Sequence, residues 1–281
     1  MKLNRIAIET TCFKKVSPDL MYEALAKNGI KQMEFYAGAP LFCHYDSLPA
    51  TNQELEEMQN HVKEKLSEYG MKIAVLAPQS VDYEINIASD VEEIREKSIR
   101  YFIGYLNDLK ALGCEDMMLT SGWGYFDQEV EPAWNRSCDS LKKITAEAQR
   151  LGVNVLLRPI WKYGTNLVNN ADTLKKMLDD VGNSALKVAL DVDGMEEGES
   201  ITSYFKMFGT EKIRYFKFSN FTVDGEVVTG DGTQNMKAYF DELEQNGYKG
   251  VAGITLNYEH TEDPEKYVTL VAEQLKTICE E

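Results

Sequence analysis

The chain has 281 residues, 43% of them hydrophobic and 27% charged, enough to bury one large core or two small ones. Its 30 Lys and Arg stand against 46 Asp and Glu, a formal charge of -16. Such a field repels phosphate backbones and anionic lipid, which excludes nucleic acid and membrane surfaces as partners; an anionic substrate would need a local cationic pocket.

The five cysteines (Cys12, Cys43, Cys114, Cys138, Cys279) are odd in number and far apart, with no C-x-x-C or Cys/His cluster. Neither a disulfide framework nor a structural zinc site is encoded, and reduced thiols in a cytoplasmic protein are expected. Met1-Lys2-Leu3-Asn4-Arg5-Ile6 enters a strand without the apolar stretch of a signal peptide. No apolar run approaches the ~20 residues of a membrane span.

A unit then repeats along the chain: a short apolar run, a loop, an amphipathic helix, and a glycine before the next run. Ile6-Ala7-Ile8 is the first strand, and Ser17-Pro18 pairs an N-cap with a first-turn proline for a helix over 18–28. Gln32-Met33-Glu34-Phe35-Tyr36 is the second strand, and Thr51-Asn52-Gln53-Glu54 is a capping box for a helix stopping at Gly70. Lys72 to Leu76 forms the third strand, running into Ala77-Pro78-Gln79. A second capping box, Ser89-Asp90-Val91-Glu92, is expected to open a helix ending at Gly113. Met117 to Thr120 is the fourth strand, followed by the loop Ser121-Gly122-Trp123-Gly124-Tyr125-Phe126 and a helix from about Pro132 to Leu151. Glycines 29, 70, 113 and 152 recur about every 40 residues, one strand-loop-helix unit each. Further strands carry Arg158, Asp191, Lys217 and Thr255, and Pro264 opens the last helix. Eight such units without a linker or composition break predict an α/β fold, a (β/α)8 TIM barrel forming a single domain over 1–281. A doubly wound sheet is the alternative.

Four late strands share one outline, an apolar run that turns polar at its end: Leu156-Leu157-Arg158, Val188-Ala189-Leu190-Asp191, Tyr215-Phe216-Lys217-Phe218-Ser219 and Gly253-Ile254-Thr255. In a parallel barrel such ends line the C-terminal mouth, so Arg158, Asp191, Lys217 and Thr255 are expected to point into one site. Glu34 ends an apolar strand in the same way, where an unpaired acid is costly.

Several motifs are similar to one family: Gly29-Ile30-Lys31-Gln32-Met33-Glu34, then Tyr83-Glu84-Ile85-Asn86-Ile87-Ala88 with Arg95, Ser98 and Tyr101, then Gly230-Asp231-Gly232 and Gly247-Tyr248-Lys249-Gly250. Nearly end to end, the chain resembles the xylose isomerase-like TIM barrels, the sugar phosphate isomerase/epimerase group. The resemblance implies a small sugar, polyol or sugar acid as ligand, proton abstraction next to a carbonyl, and a homodimer built through barrel-rim loops. It also implies a divalent ion held by Glu, Asp, His and Glu at the ends of strands five to eight. Here those positions carry Arg158, Asp191, Lys217 and Thr255. Only the Asp matches, so no metal and no cofactor is expected.

Three readings of that replacement stand side by side. Arg158 and Lys217 could supply the ion's charge, with Glu34 as base. Lys217, desolvated beside Arg158, could be a Schiff-base nucleophile. Or Arg158, Asp191 and Lys217 could be a buried ion cluster in a protein that has lost catalysis and only binds a sugar or a partner. The expected catalytic set is therefore Glu34, Arg158, Asp191 and Lys217, and the expected substrate contacts are Tyr36, Gln79, Asn86, Trp123, Tyr125, Trp161, Ser219 and Thr255. Flat rings such as Trp123 and Tyr125 stack on sugar faces, and Phe42 and Tyr163 would extend that wall. Asp193 would replace Asp191 if the register slipped by two. His44 can reach the pocket from its loop, His61 reads as solvent-exposed, and Glu259 with His260 could serve as displaced ligands.

Overall fold

A computed structural model describes residues 1–42, 51–80, 84–218, 222–223, 226–227, 235–256 and 262–279. The strands form where the apolar runs place them: β1 (Ile6–Glu9), β2 (Gln32–Ala37), β3 (Lys72–Pro78), β4 (Asp116–Leu119), β5 (Asn154–Leu157), β6 (Leu186–Asp191) and β7 (Ile213–Phe218). Next come a short pair, β8 (Thr222–Val223) and β9 (Glu226–Val227), and then β10 (Val251–Ile254). The eight long strands close into a parallel barrel in the order β1-β10-β7-β6-β5-β4-β3-β2, so the fold is a (β/α)8 TIM barrel. The antiparallel β8–β9 pair is an addition to the eight expected strands.

Among the described residues, eight helices complete the repeat: α1 (Pro18–Lys27), α2 (Asn52–Tyr69), α3 (Glu92–Ala111), α4 (Val130–Leu151), α5 (Ala171–Val181), α6 (Ile201–Phe208), α7 (Met236–Gln245) and α8 (Pro264–Ile278). Local chemistry sets most of their ends. Thr51 and Glu54 exchange the two hydrogen bonds of a capping box at the start of α2, and Gly70 ends that helix in the left-handed region at φ +59°. The box expected at Ser89–Glu92 does not form. α3 starts after Val91 without a side-chain cap, because the Ser89 hydroxyl accepts from Val91 N–H and Arg95 donates to the Ser89 carbonyl. Ser17 likewise caps α1 without a side-chain hydrogen bond. α4 begins two residues before Pro132.

The chain gathers into two compact units, Met1–Leu76 with Phe216–Glu281, and Ala77–Tyr215. In the first, β1 pairs with β2 and β10 in parallel, aligning Ile8 with Ile254 and Glu9 with Glu34. In the second, β4, β5 and β6 pair in register from Asp116–Asn154 to Leu157–Val188. Buried apolar residues, mostly Ile, Val, Leu, Met, Phe and Ala, fill these strands, as expected for sheet covered on both faces. At the strand beginnings of the second unit, Arg214 Nε donates to both carboxylate oxygens of Asp116 at 2.7 and 2.9 Å, and Asn154 adds a bond of 2.8 Å. No helix among the described residues is long and apolar enough to cross a membrane.

Candidate active site

The charges at the strand ends are paired, and each set of pairs lies within one unit. In the first unit, Lys217, next to last in β7, places Nζ 2.5 Å from Glu34 Oε1 and 3.0 Å from Glu9 Oε2. The three side chains are 5%, 1% and 14% exposed, so the ammonium and both carboxylates have left bulk water. Glu9 and Glu34 are direct register partners on β1 and β2. Like charges facing each other across strands repel, and the lysine between them removes that cost.

The chain after β1 then turns through a single 3-10 turn, Thr10–Phe13, that wraps the Glu9 carboxylate. The Thr11 hydroxyl donates to Glu9 Oε1, and the Cys12 thiol donates to the Glu9 carbonyl at 3.6 Å. Burial alone would raise the Glu9 carboxyl. The Lys217 ammonium and the Thr11 hydroxyl outweigh burial and hold it down at about 2. The Cys12 thiol is pushed far up by burial and by the Glu9 charge, so it is no nucleophile at neutral pH. Thr255 lies just past β10, its amide bonded to the Phe218 carbonyl at 3.1 Å. Its hydroxyl oxygen is buried without a hydrogen-bond partner among the described residues.

In the second unit, Arg158 follows β5 and Asp191 ends β6. Arg158 Nε and Nη2 both reach Asp191 Oδ2 at 2.6 Å. Asp191 is 2% exposed and Arg158 19%, so the guanidinium has the more open side of the pair. Asp191 is the last strand residue and Val192–Gly194 form a 3-10 turn.

The loop after β4 is latched by side chains on its neighbours. Asn86 Oδ1 accepts from the amides of Ala88 and Trp123 at 3.0 and 3.1 Å, and Asn86 Nδ2 donates to the Trp123 carbonyl at 2.9 Å. Asn166 Oδ1 accepts from Gly124 N at 2.9 Å, and the Thr165 hydroxyl donates to the Gly122 carbonyl at 2.6 Å. Gly122 has φ +71°, and a Cβ there would lie 2.4 Å from Asn86 Oδ1 and 2.9 Å from Ala88 N, so only glycine fits. Trp123 and Tyr125 meet edge to face at 6.2 Å, above a cavity also lined by Asn86, Ser89, Asp90 and Arg136.

Of the expected substrate contacts, Tyr125 and Trp161 project outward, Trp123, Gln79 and Tyr36 are half-buried, and Asn86 is buried and committed to the backbone. The Tyr36 ring folds over Gly38, where a Cβ would overlap it. Phe42 departs from its expected place in the aromatic wall: it is fully buried, 5.9 Å from the Phe35 ring. Ser219, His44, Glu259, His260 and Asp231 lie outside the described residues. Glu9, a member of the Lys217 charge cluster, was missed in the sequence, although Ile6-Ala7-Ile8-Glu9 has the same apolar run ending in a charge as the other strands that carry candidate residues.

A family model described as xylose isomerase-like TIM barrel matches residues 22–278. A fructoselysine 3-epimerase from Shigella flexneri is 21% identical over 223 residues, 78% of this chain and 80% of that protein. Among solved structures, D-psicose 3-epimerase with D-tagatose from Clostridium cellulolyticum H10 superposes with a TM-score of 0.77 at 16% identity, covering 98% of this chain and 99% of that one. The IOLI protein with a bound zinc atom superposes at 0.73 with 16% identity, covering 98% of each chain.

Proposed function

This chain belongs to the xylose isomerase-like TIM-barrel family, and on that premise we propose that it takes a small sugar, polyol or sugar acid at its strand ends and moves a proton next to a carbonyl without a divalent ion. The observation that carries this reading is the buried Lys217 ammonium bracketed by Glu34 and Glu9.

A divalent ion does not fit the residues present. Asp191 already binds a guanidinium through Oδ2, and an ion between Glu9 and Glu34 would have to displace the ammonium. Among the described residues no group of three or more His, Cys, Asp or Glu gathers as a ligand set.

The chemistry can be written with the chain's own groups. A substrate carbonyl oxygen enters beside Lys217 Nζ and takes over part of its hydrogen bonding from Glu34. Glu34, its ammonium contact loosened by the substrate, accepts the proton from the carbon next to the carbonyl. The electron pair of the broken C–H bond moves onto the carbonyl oxygen as an enediolate, which the ammonium stabilises. Return of the proton to the neighbouring carbon, with the enediolate's hydroxyl proton passing to the former carbonyl oxygen, isomerises the sugar; delivery of a proton from water to the opposite face of the same carbon, with Glu34 releasing its own proton to solvent, epimerises it. The buried Thr255 hydroxyl, lacking a partner, suits a substrate oxygen. The Schiff-base reading loses ground, because two carboxylates at 2.5 and 3.0 Å favour the charged amine over the nucleophilic one.

The test is solvent exchange. EDTA-treated protein is incubated in D2O with a panel of ketoses and sugar acids, and deuterium next to the carbonyl is followed by NMR. Incorporation into at least one of them is expected, and Glu34→Gln should slow it by about 10²-fold or more. The second reading, a homologue that binds sugar without chemistry, is favoured by the full satisfaction of the Lys217 charge inside the protein. Saturable thermal stabilisation by a sugar with no exchange would establish it, and no response to any sugar would sink both.

A further inference from the structure

Glu9 and Glu34 end adjacent parallel strands in direct register, an arrangement that concentrates negative charge unless a cation lies between them. The cation present is the Lys217 ammonium, 3.0 Å from Glu9 Oε2 and 2.5 Å from Glu34 Oε1. A third oxygen, Thr255 Oγ1, just past β10, is buried with no hydrogen-bond partner among the described residues. Thr11 holds the other Glu9 oxygen, which fixes the carboxylate's orientation without using the atom that faces Lys217. Two carboxylates and a hydroxyl are hard oxygen donors of the kind that suit Mg²⁺, Ca²⁺ and Mn²⁺.

We propose that Glu9, Glu34 and Thr255 form a latent cation site, filled in this chain by its own Lys217 ammonium, and that shortening the side chain at 217 opens the site to a free cation. A tethered ammonium outcompetes an ion in solution because its local concentration is fixed by the fold. The same tether explains how the strand-end charge balance is kept without a metal. The proposal deepens the metal-independent reading above. Its test reads cation binding rather than turnover, so either can fail without the other.

Three proteins are compared by thermal melting in EDTA and then in Mn²⁺, Mg²⁺, Ca²⁺ or methylammonium, with calorimetric titration of the ions: the unaltered chain, Lys217→Ala, which vacates the site, and Lys217→Met, which fills the space without charge. In EDTA, Lys217→Ala should melt roughly 10 °C lower than the unaltered chain. At least one cation should bind it saturably, one per chain, and raise its melting temperature by about 5 °C or more. The unaltered chain and Lys217→Met should not respond, and Glu34→Gln added to Lys217→Ala should remove the response. A stoichiometric ion that stabilises the unaltered chain equally would overturn the proposal, as would a folded Lys217→Ala that ignores every cation. If Lys217→Ala is recovered only unfolded, the readout is the yield of folded protein on dilution from urea. A rise of about threefold or more with one of the cations is expected, and a yield indifferent to all of them overturns the proposal.

Discussion

Strand β7 carries two cations, Arg214 near its start and Lys217 near its end, and the two meet their acids in opposite ways. Arg214 is one-third exposed, and its partner Asp116 has the carboxyl raised above its ordinary value, because burial outweighs what Arg214 and Asn154 contribute. Lys217 is almost wholly enclosed, yet its partner Glu9 is held down at about 2. The difference is one of enclosure and partner number: Lys217 has two carboxylates within 3.0 Å, and Glu9 has an ammonium and a hydroxyl on separate oxygens. The first cluster braces the strand beginnings, where barrels put stability, and the second holds charge at the strand ends, where they put chemistry.

The strongest test of that contrast is Lys217→Met. It leaves two buried carboxylates facing each other, and unfolding in urea should show a loss of about 3–5 kcal/mol. A loss below about 1 kcal/mol would mean that the acids can relax or take up protons, and that the lysine holds nothing together. Next comes pH. Because the folded Glu9 carboxyl lies below its ordinary value, its contribution is fully present above about pH 4.5 and is lost as the pH falls towards 2; it is worth about 3 kcal/mol. Acid titration of Glu9→Gln should therefore show a shallower fall in stability over that window than the unaltered chain. Asp116 runs the other way: its raised carboxyl favours the folded state more as the pH falls, so acid does not weaken that cluster through it.

Asn86→Ala should cost about 2 kcal/mol, since it leaves the Trp123 and Ala88 amides and the Trp123 carbonyl without the partner that latches the loop. Tryptophan fluorescence should change with it, and an unaltered spectrum would show that the loop is held elsewhere. The smallest effect is expected for Asp116→Asn, within about 1 kcal/mol, because the amide oxygen still accepts from Arg214 and the pair is partly solvated. A cost equal to that of Lys217→Met would erase the distinction between the two clusters.

Much of the barrel is legible in the amino-acid sequence, because the signals are local. Glycines 29, 70, 113 and 152 end helices or their turns at positive φ, and each apolar run is a strand in its expected place. The failures are local as well. Ser89 has the sequence pattern of a cap, but its hydroxyl serves Val91 and its carbonyl serves Arg95 instead. Phe42 has the character of a ring-wall residue and lies in the core, since aromatic character alone does not tell the two apart.

Composition along the chain marks the strand-end polar groups: Glu34, Arg158, Asp191, Lys217 and Thr255 each stand at or near the end of an apolar run, where a polar residue needs a reason. Which acid takes which base is not written there. Lys217 and Glu34 are 183 positions apart, and their pairing, like the presence of Glu9 beside them, follows from strand order and register. Periodicity and capping act within one or two helical turns and are readable from the chain. Charge pairing depends on which strand ends the closed sheet makes neighbours, and only the folded barrel decides that.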